Sequence, residues 1–187
     1  MAVLSGATGL LLVLVVALSP VHADSVEVGE SLPPISVVDA AGEAIELSFQ
    51  KGDVVAIEFW ASWCQACRHT LPLLAQLAEE RRGDGFRAFA VNIDRSRSAA
   101  DTYLAENPAL QKDALTVVYD PGGDALARLG PPGLPALYVV EGRTVRLVQG
   151  GWKPDGEQRL RRVVDTLLRR HDDTQGVPAC ESSSCLR

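Results

Sequence analysis

The chain has 187 residues, of which 47% are hydrophobic, so it is long and apolar enough to form one domain with a buried core. It carries 18 Lys and Arg against 24 Asp and Glu, a formal net charge of -6, and its basic residues form no block. This acidity argues against nucleic acid or an anionic lipid surface as a partner.

Residues 1–23 have the pattern of a secretory signal. They are apolar from residue 10 to residue 18, break at Ser19 and Pro20, and end in small residues at Ala23. We expect cleavage before Asp24 and a periplasmic location, where disulfides persist. An uncleaved membrane anchor is the alternative, although the apolar run is short for a span. The mature chain then divides into a domain at 24–171 and a flexible tail at 172–187.

The first predicted structure of the mature chain is a β-hairpin. Residues 36–39 and 44–47 read as two short strands, and the turn between them contains Gly42. This hairpin comes before the predicted core strand.

An apolar run at residues 54–60 predicts a buried strand, which breaks at Ala61 and Ser62. After Cys67 the apolar residues recur at the spacing of one helix face: Leu71, Leu74, Leu77 and Ala78. Cys64 therefore lies at the joint between a strand and a helix. Unpaired N–H groups at a helix start favour the thiolate, the form of cysteine that attacks a disulfide.

Cys67 lies one helical turn beyond Cys64, within bridging distance. We therefore interpret Cys64 as the attacking thiol and Cys67 as the resolving thiol of a redox-active disulfide. Two alternatives are half of a zinc site, with His69 or the distant Cys180 and Cys185 as further ligands, and an inert structural disulfide. A strand before the pair and an amphipathic helix after it favour the redox role.

Further elements follow in alternation. The patterns predict strands at 86–92, 115–119, 136–140 and 144–149, and helices at 96–106, 124–129 and around the apolar stripe from Leu160 to Leu168. Pro72 falls inside the first helix. Pro135 comes directly before the strand at 136–140, a position where proline is unusual unless its backbone geometry is special.

The segment FWASWCQACR, followed by Pro72, resembles the active-site segment of the thioredoxin superfamily. Within it, the stretch from residue 28 to about residue 170 looks most like the exported TlpA, ResA and CcmG (DsbE) branch. The resemblance implies an α/β thioredoxin fold, a mixed central sheet flanked by helices, with an N-terminal β-hairpin extension and a TlpA-like insertion near residues 124–129.

The resemblance also implies roles for single residues. Pro135 is expected to be cis and catalytic, and Leu134 and Trp63 are expected to bind the substrate chain, the former through its backbone. Glu58, a carboxylate among apolar strand residues, is expected to be buried with a raised pKa and to accept a proton from Cys67. The alternative for Glu58 is an exposed position facing water.

The tail contains Cys180 and Cys185, which have no counterpart in the thioredoxin core. Three hypotheses remain open: a passive second disulfide, electron exchange with Cys64 and Cys67, or binding of a soft metal such as Cu(I). His171 and His69 are too isolated to support a metal site, so none is predicted.

These observations predict a periplasmic thiol-disulfide oxidoreductase that acts on protein thiols and disulfides as a monomer, without a bound cofactor. The resemblance favours a reductant, which delivers electrons from a membrane donor to apocytochrome c or a copper-site protein. The alternatives are a disulfide-forming oxidase, a peroxiredoxin-like peroxidase, or a copper-handling module that uses Cys180 and Cys185. The peroxidase pattern Pro-x-x-x-Thr-x-x-Cys does not match the residues before Cys64.

Overall fold

A computed structural model of the protein describes residues 25–111 and 113–175, with side chains up to His171. The predicted signal peptide, Cys180 and Cys185 lie outside the described residues. The strands are β1 (Ser36–Val38), β2 (Ala44–Glu46), β3 (Val54–Trp60), β4 (Phe86–Asn92), β5 (Leu115–Tyr119), β6 (Ala136–Glu141) and β7 (Thr144–Gly150). The helices are α1 (Cys67–Glu80), α2 (Arg97–Glu106), α3 (Asp124–Leu129) and α4 (Gly156–Gln175), with a short 3-10 turn at Pro108–Leu110.

The strands form one seven-stranded sheet in the order β2-β1-β5-β4-β3-β6-β7. Strands β3, β4 and β5 run parallel to one another. Strand β6 pairs antiparallel with β3 and β7, and β1 pairs antiparallel with β5 and β2. The sheet is therefore mixed, as predicted. The predicted hairpin is confirmed as β1 and β2, which extend the sheet beyond β5 through the pairing of Val38 with Tyr119.

Strand β3 lies between β4 and β6 and is buried along its whole length. Because side chains alternate across a strand, its residues serve two cores. Val54, Ala56 and Trp60 belong to the cluster formed with α1, α2 and α4. Val55, Ile57 and Phe59 belong to the cluster on the other face, which includes Ala125 and Leu129 of α3. Burial on both faces explains the continuous apolar run in the sequence.

The helices cover both faces of the sheet, as predicted for this fold. The stripe of α4 packs into the first core through Leu160, Val164 and Leu167. The helix ends at Gln175, beyond the domain end predicted at residue 171. Apolar periodicity reports side-chain packing, whereas the backbone hydrogen bonds of a helix continue through polar residues, so the pattern stops before the helix does. Within the described ranges, no helix is both long enough and apolar enough to cross a bilayer.

Candidate active site

Cys64 and Cys67 form a disulfide at the carboxyl end of β3, with an S–S distance of 2.07 Å and Cα atoms 5.3 Å apart. Cys67 is the first residue of α1, and Cys64 lies in the turn before it. The backbone N–H of Cys67 donates to Sγ of Cys64 at 3.2 Å. Cys64 therefore lies at the strand-to-helix joint, as predicted, where the helix start can stabilise its thiolate after reduction.

The Leu134–Pro135 peptide bond is cis, which confirms the prediction. Pro135 is buried, and the next residue, Ala136, pairs with Phe59 near the end of β3. The side chain of Leu134 is half-buried and packs against the cluster that contains both cysteines. The cis proline therefore lies at the same end of the sheet as the disulfide.

The loop that contains Pro132 and Pro135 is held in place by Gly150, the last residue of β7, and by Gly151 after it. The backbone N–H of Gly151 donates to the carbonyl oxygen of Pro135 at 2.8 Å. A Cβ atom at Gly150 would lie 2.7 Å from Cγ of Pro132, so only glycine allows this close approach. These contacts hold the residues around Pro135 in place.

Glu58 is buried, with 1% of its surface exposed, and its neighbours across the sheet are Ala90 and Leu137. Its burial confirms the sequence prediction and excludes the water-facing alternative. Removal from water raises the pKa of Glu58 to about 8, although the hydroxyl of Thr70 opposes the rise by donating to Oε1 at 2.5 Å. Glu58 lies on the α1 face of β3, beneath the helix that begins with Cys67.

Tyr103 of α2 completes this side of the site. Its ring lies 5.4 Å from the ring of Trp60, and the guanidinium of Arg68 lies 5.4 Å above it. Burial raises the pKa of Tyr103, Arg68 lowers it, and the charge of Glu58 raises it. Tyr103 therefore packs on the same face of the sheet as Glu58.

A second buried acid, Asp94, holds the turn before Cys64. One oxygen of its carboxylate accepts the N–H of Ser62 at 2.9 Å and the side-chain amide of Asn92 at 2.9 Å, and the other accepts the Ser62 hydroxyl at 3.2 Å. The N–H of Ile93 also donates to the carbonyl of Trp60 at 2.9 Å. The segment after β4 therefore anchors the redox turn.

Two aromatic side chains near the disulfide remain exposed. Trp63 is 69% exposed in the redox turn, and Trp152 is 50% exposed directly after Gly151. The ring of Trp152 lies 6.2 Å from the ring of His69, an exposed residue in the first turn of α1. Trp152 therefore lies close to the start of the helix that carries Cys67.

The structure brings together Cys64, Cys67, Glu58, Pro135, Leu134 and Trp63 at one end of the sheet. Sequence analysis missed Thr70, Asp94 and Trp152. Thr70 is one helical turn after Cys67, and Asp94 follows a strand parallel to β3, so both could have been found by asking which side chains share this end. Within 25–111 and 113–175, no group of three or more His, Cys, Asp or Glu could hold a metal ion.

Comparison with known proteins identifies the family. The sequence profile of the AhpC/TSA family matches residues 28–148. The chain belongs to the AhpC/TSA family. Among its relatives is the thiol-disulfide oxidoreductase ResA of Bacillus subtilis (strain 168), 30% identical over 152 residues that cover 76% of this chain and 83% of ResA.

Solved structures of thiol-disulfide proteins share the fold of this chain. A Chlorobium tepidum protein described as a thiol:disulfide interchange protein DsbE is 30% identical, with a TM-score of 0.69, and the match covers 77% of this chain and 99% of that one. The thioredoxin domain of a Bacteroides vulgatus thiol-disulfide oxidoreductase shares the fold at 22% identity and a TM-score of 0.63, over 75% and 99% of the two chains. The protein is a thioredoxin-fold thiol-disulfide oxidoreductase of the ResA and DsbE type.

Proposed function

We propose that this oxidoreductase is exported to the periplasm, where it reduces disulfides of partner proteins with the Cys64–Cys67 couple. The observation that carries the proposal is the Cys67 N–H directed at Sγ of Cys64, since it favours a reactive thiolate on the first cysteine. The similarity to ResA and DsbE proteins supports the same activity.

The reaction has two exchange steps. The Cys64 thiolate attacks one sulfur of the partner disulfide and expels the other as a thiolate, which takes a proton from solvent. Cys67 then gives its proton to the Glu58 carboxylate and attacks Sγ of Cys64. This step forms the Cys64–Cys67 disulfide and releases the second partner thiolate. Two electrons pass from the dithiol to the partner, and Glu58 finally returns its proton to solvent.

Residues around the disulfide provide a surface for the partner chain. We propose that the backbone of Leu134, before cis Pro135, pairs with an extended segment of the substrate. Trp63 and Trp152 then contact the residues that flank the substrate cysteine, because both rings remain exposed beside the redox turn. Such a surface suits a protein disulfide better than a small oxidant.

The direction of electron flow follows from the resemblance to the TlpA, ResA and CcmG branch. In this proposal the monomeric protein receives electrons from a membrane donor and passes them to apocytochrome c or a copper-site protein. The rival function is a disulfide-forming oxidase or a peroxidase. The peroxidase is disfavoured because Trp60, Ala61, Ser62 and Trp63 stand where peroxiredoxins carry the Pro-x-x-x-Thr-x-x-Cys loop.

The equilibrium potential of the Cys64–Cys67 couple tests the direction. Equilibration with defined thiol and disulfide ratios is expected to give a potential near that of thioredoxin, about -270 mV, or below it. A potential of about -120 mV, which is that of the strongest dithiol oxidants, would overturn the reductant assignment. Trapping with a Cys67→Ser variant tests the roles, since the partner must be joined to Cys64.

For the tail we propose that Cys180 and Cys185 form a passive disulfide. His171 approaches Gly52, just before β3, whereas Cys64 follows the other end of that strand. The seven residues of β3 span about 20 Å. The described C-terminal part of α4 therefore approaches the end of the sheet opposite the redox turn, which favours a passive disulfide over exchange with Cys64.

A variant with Cys180→Ser and Cys185→Ser tests the tail. The passive role predicts an exchange rate equal to that of the parent and an unchanged stoichiometry in a Cu(I) titration. A large loss of exchange would support electron transfer through the tail, and a loss of bound copper would support the copper-handling alternative.

A further inference from the structure

Thr70 connects the buried acid to the surface of α1. Its hydroxyl donates to Oε1 of Glu58 at 2.5 Å and lies 3.5 Å from the carbonyl oxygen of Cys67. Thr70 itself is half-buried in the first turn of the helix, whereas Glu58 is 1% exposed. The hydroxyl therefore links the carboxyl group to the first turn of the helix, on a residue that is itself part-exposed.

The other groups around Glu58 are less suited to that connection. In the sheet it lies between Ala90 and Leu137, which have no polar side-chain atoms. From α2 the ionisable group is Tyr103, whose pKa is raised and whose ring is covered by Arg68. The redox turn and the start of α1 carry the two buried cysteines, whereas the side chains of Arg68 and His69 are exposed. Thr70 is the residue that hydrogen bonds to the carboxyl group among the described side chains.

We infer that the Thr70 hydroxyl positions the Glu58 carboxyl group and carries its proton to solvent, so that Thr70 sets the pH at which Cys67 resolves a mixed disulfide. This inference rests on the proposed role of Glu58 as proton acceptor. Thr70 is a positioning residue, since it acts through Glu58.

The proton path balances without a further reactant. When Cys67 attacks Sγ of Cys64, its proton moves to Glu58, which becomes a neutral carboxylic acid. The Thr70 hydroxyl, which donates to the carboxylate, then turns so that its Oγ accepts a hydrogen bond from the neutral acid, takes this proton and releases its own proton to water. The carboxylate is thereby restored, and Thr70 is unchanged. No electrons are transferred in this part of the cycle.

The resolving step can be isolated with Ellman's reagent as the probe. One equivalent added to the reduced protein gives two releases of thionitrobenzoate in a stopped-flow experiment, provided that Cys180 and Cys185 are replaced by Ser in every protein compared. The first release reports attack by Cys64, and the second reports attack by Cys67 on the mixed disulfide. The rates of both phases are measured from pH 6 to pH 10 in the parent and in Thr70→Val, Thr70→Ser and Glu58→Gln variants.

Thr70→Val keeps the shape of the side chain and removes the hydroxyl, whereas Thr70→Ser keeps the hydroxyl. Since the hydroxyl favours the ionised carboxylate, its loss moves the acidic limb of the second phase to higher pH. At pH 7 we expect the second phase of Thr70→Val to be about tenfold slower, the effect of a displacement of one pH unit. The first phase is unchanged, and Thr70→Ser has the parent profile.

The outcomes separate the two proposals. If Thr70→Val matches the parent while Glu58→Gln alters the second phase, the inference about Thr70 is wrong and the role of Glu58 stands. If Glu58→Gln leaves the second phase unchanged, the proposed proton acceptor is wrong. Equal slowing of both phases in Thr70→Val also overturns the inference, because it indicates general damage to the site.

An infrared titration gives a second readout. The carbonyl band of the protonated Glu58 disappears as the acid ionises, and its assignment follows from its loss in Glu58→Gln. The midpoint is expected to move to higher pH in Thr70→Val and to return in Thr70→Ser. An unmoved midpoint contradicts the inference even if the protein is less stable.

Discussion

Two buried carboxylates flank the redox turn, and their surroundings differ. Glu58, on the β3 strand, receives a hydrogen bond from Thr70 and keeps most of the penalty of its removal from water, so its pKa rises to about 8. Asp94, after β4, accepts hydrogen bonds from the backbone and side chain of Ser62 and from Asn92. Several hydrogen-bond donors therefore replace water around Asp94, whereas Thr70 alone donates to Glu58 among the described residues.

The difference suggests a division of labour. A carboxyl group with a pKa close to neutral pH can gain and lose a proton during turnover, which suits the acceptor proposed for Cys67. Asp94 instead accepts hydrogen bonds from Ser62, and it thereby fixes the backbone of the redox turn. We therefore assign proton transfer to the region of Glu58 and positioning of the turn to the region of Asp94.

The largest effect predicted from this comparison concerns Glu58→Gln and stability. Between pH 4.5 and about 8 the folded protein retains the Glu58 proton, whereas the unfolded chain has released it. The free energy of unfolding of the parent therefore falls as pH rises through this window. At pH 8 and above, Glu58→Gln is expected to be more stable than the parent by up to about 5 kcal/mol.

Urea denaturation at several pH values measures this difference. The two proteins should have similar stabilities near pH 4.5 and diverge towards pH 8. A constant difference between them would show that Glu58 ionises in the folded protein as it does in the unfolded chain, and the role proposed for Glu58 in proton transfer would be wrong.

Asp94→Ala is expected to have the opposite effect on stability. It leaves the Ser62 N–H and the Asn92 amide without their acceptor, which costs about 3 kcal/mol. Ser62→Ala is the matched milder variant, because it removes only the 3.2 Å hydroxyl bond and should cost about 0.5 to 1 kcal/mol.

Stopped-flow measurement of both exchange steps distinguishes anchoring of the redox turn from proton transfer in these variants. Asp94→Ala should slow the attack by Cys64 while the pH profile of the second phase keeps its midpoint. A displaced midpoint would mean that Asp94 also takes part in the protonation of the site, and the division of labour would be wrong.

The sequence predicted the features that depend on neighbours along the chain. The apolar run of β3, the helical spacing after Cys67 and the proline before β6 are local patterns, and each predicted element is present. The burial of Glu58 could also be predicted, because a strand that is apolar on both sides of one residue leaves it little access to water.

Contacts between distant segments could not be predicted in this way. Ser62 and Asp94 are 32 residues apart and meet only because β3 and β4 are parallel neighbours. Thr70 reaches Glu58 across the gap between a helix and the sheet, so its role depends on how α1 is rotated. Trp152 lies near His69, and its neighbour Gly151 donates to the carbonyl oxygen of Pro135; no local pattern reports either contact.

The smallest predicted effect concerns Trp63 and Trp152, the two exposed tryptophans near the disulfide. Trp63→Ala and Trp152→Ala are each expected to raise KM for insulin disulfides about fivefold, because about 1 kcal/mol of apolar contact with the substrate chain is lost. Reduction of Ellman's reagent is the control, since this small disulfide does not extend over the two rings. The pH profile of the resolving step should stay that of the parent, because neither tryptophan is among the hydrogen-bond partners of Glu58 or Asp94 in the described part of the chain. Equal losses with insulin and Ellman's reagent would instead place the tryptophans in the support of the redox turn, together with Asp94.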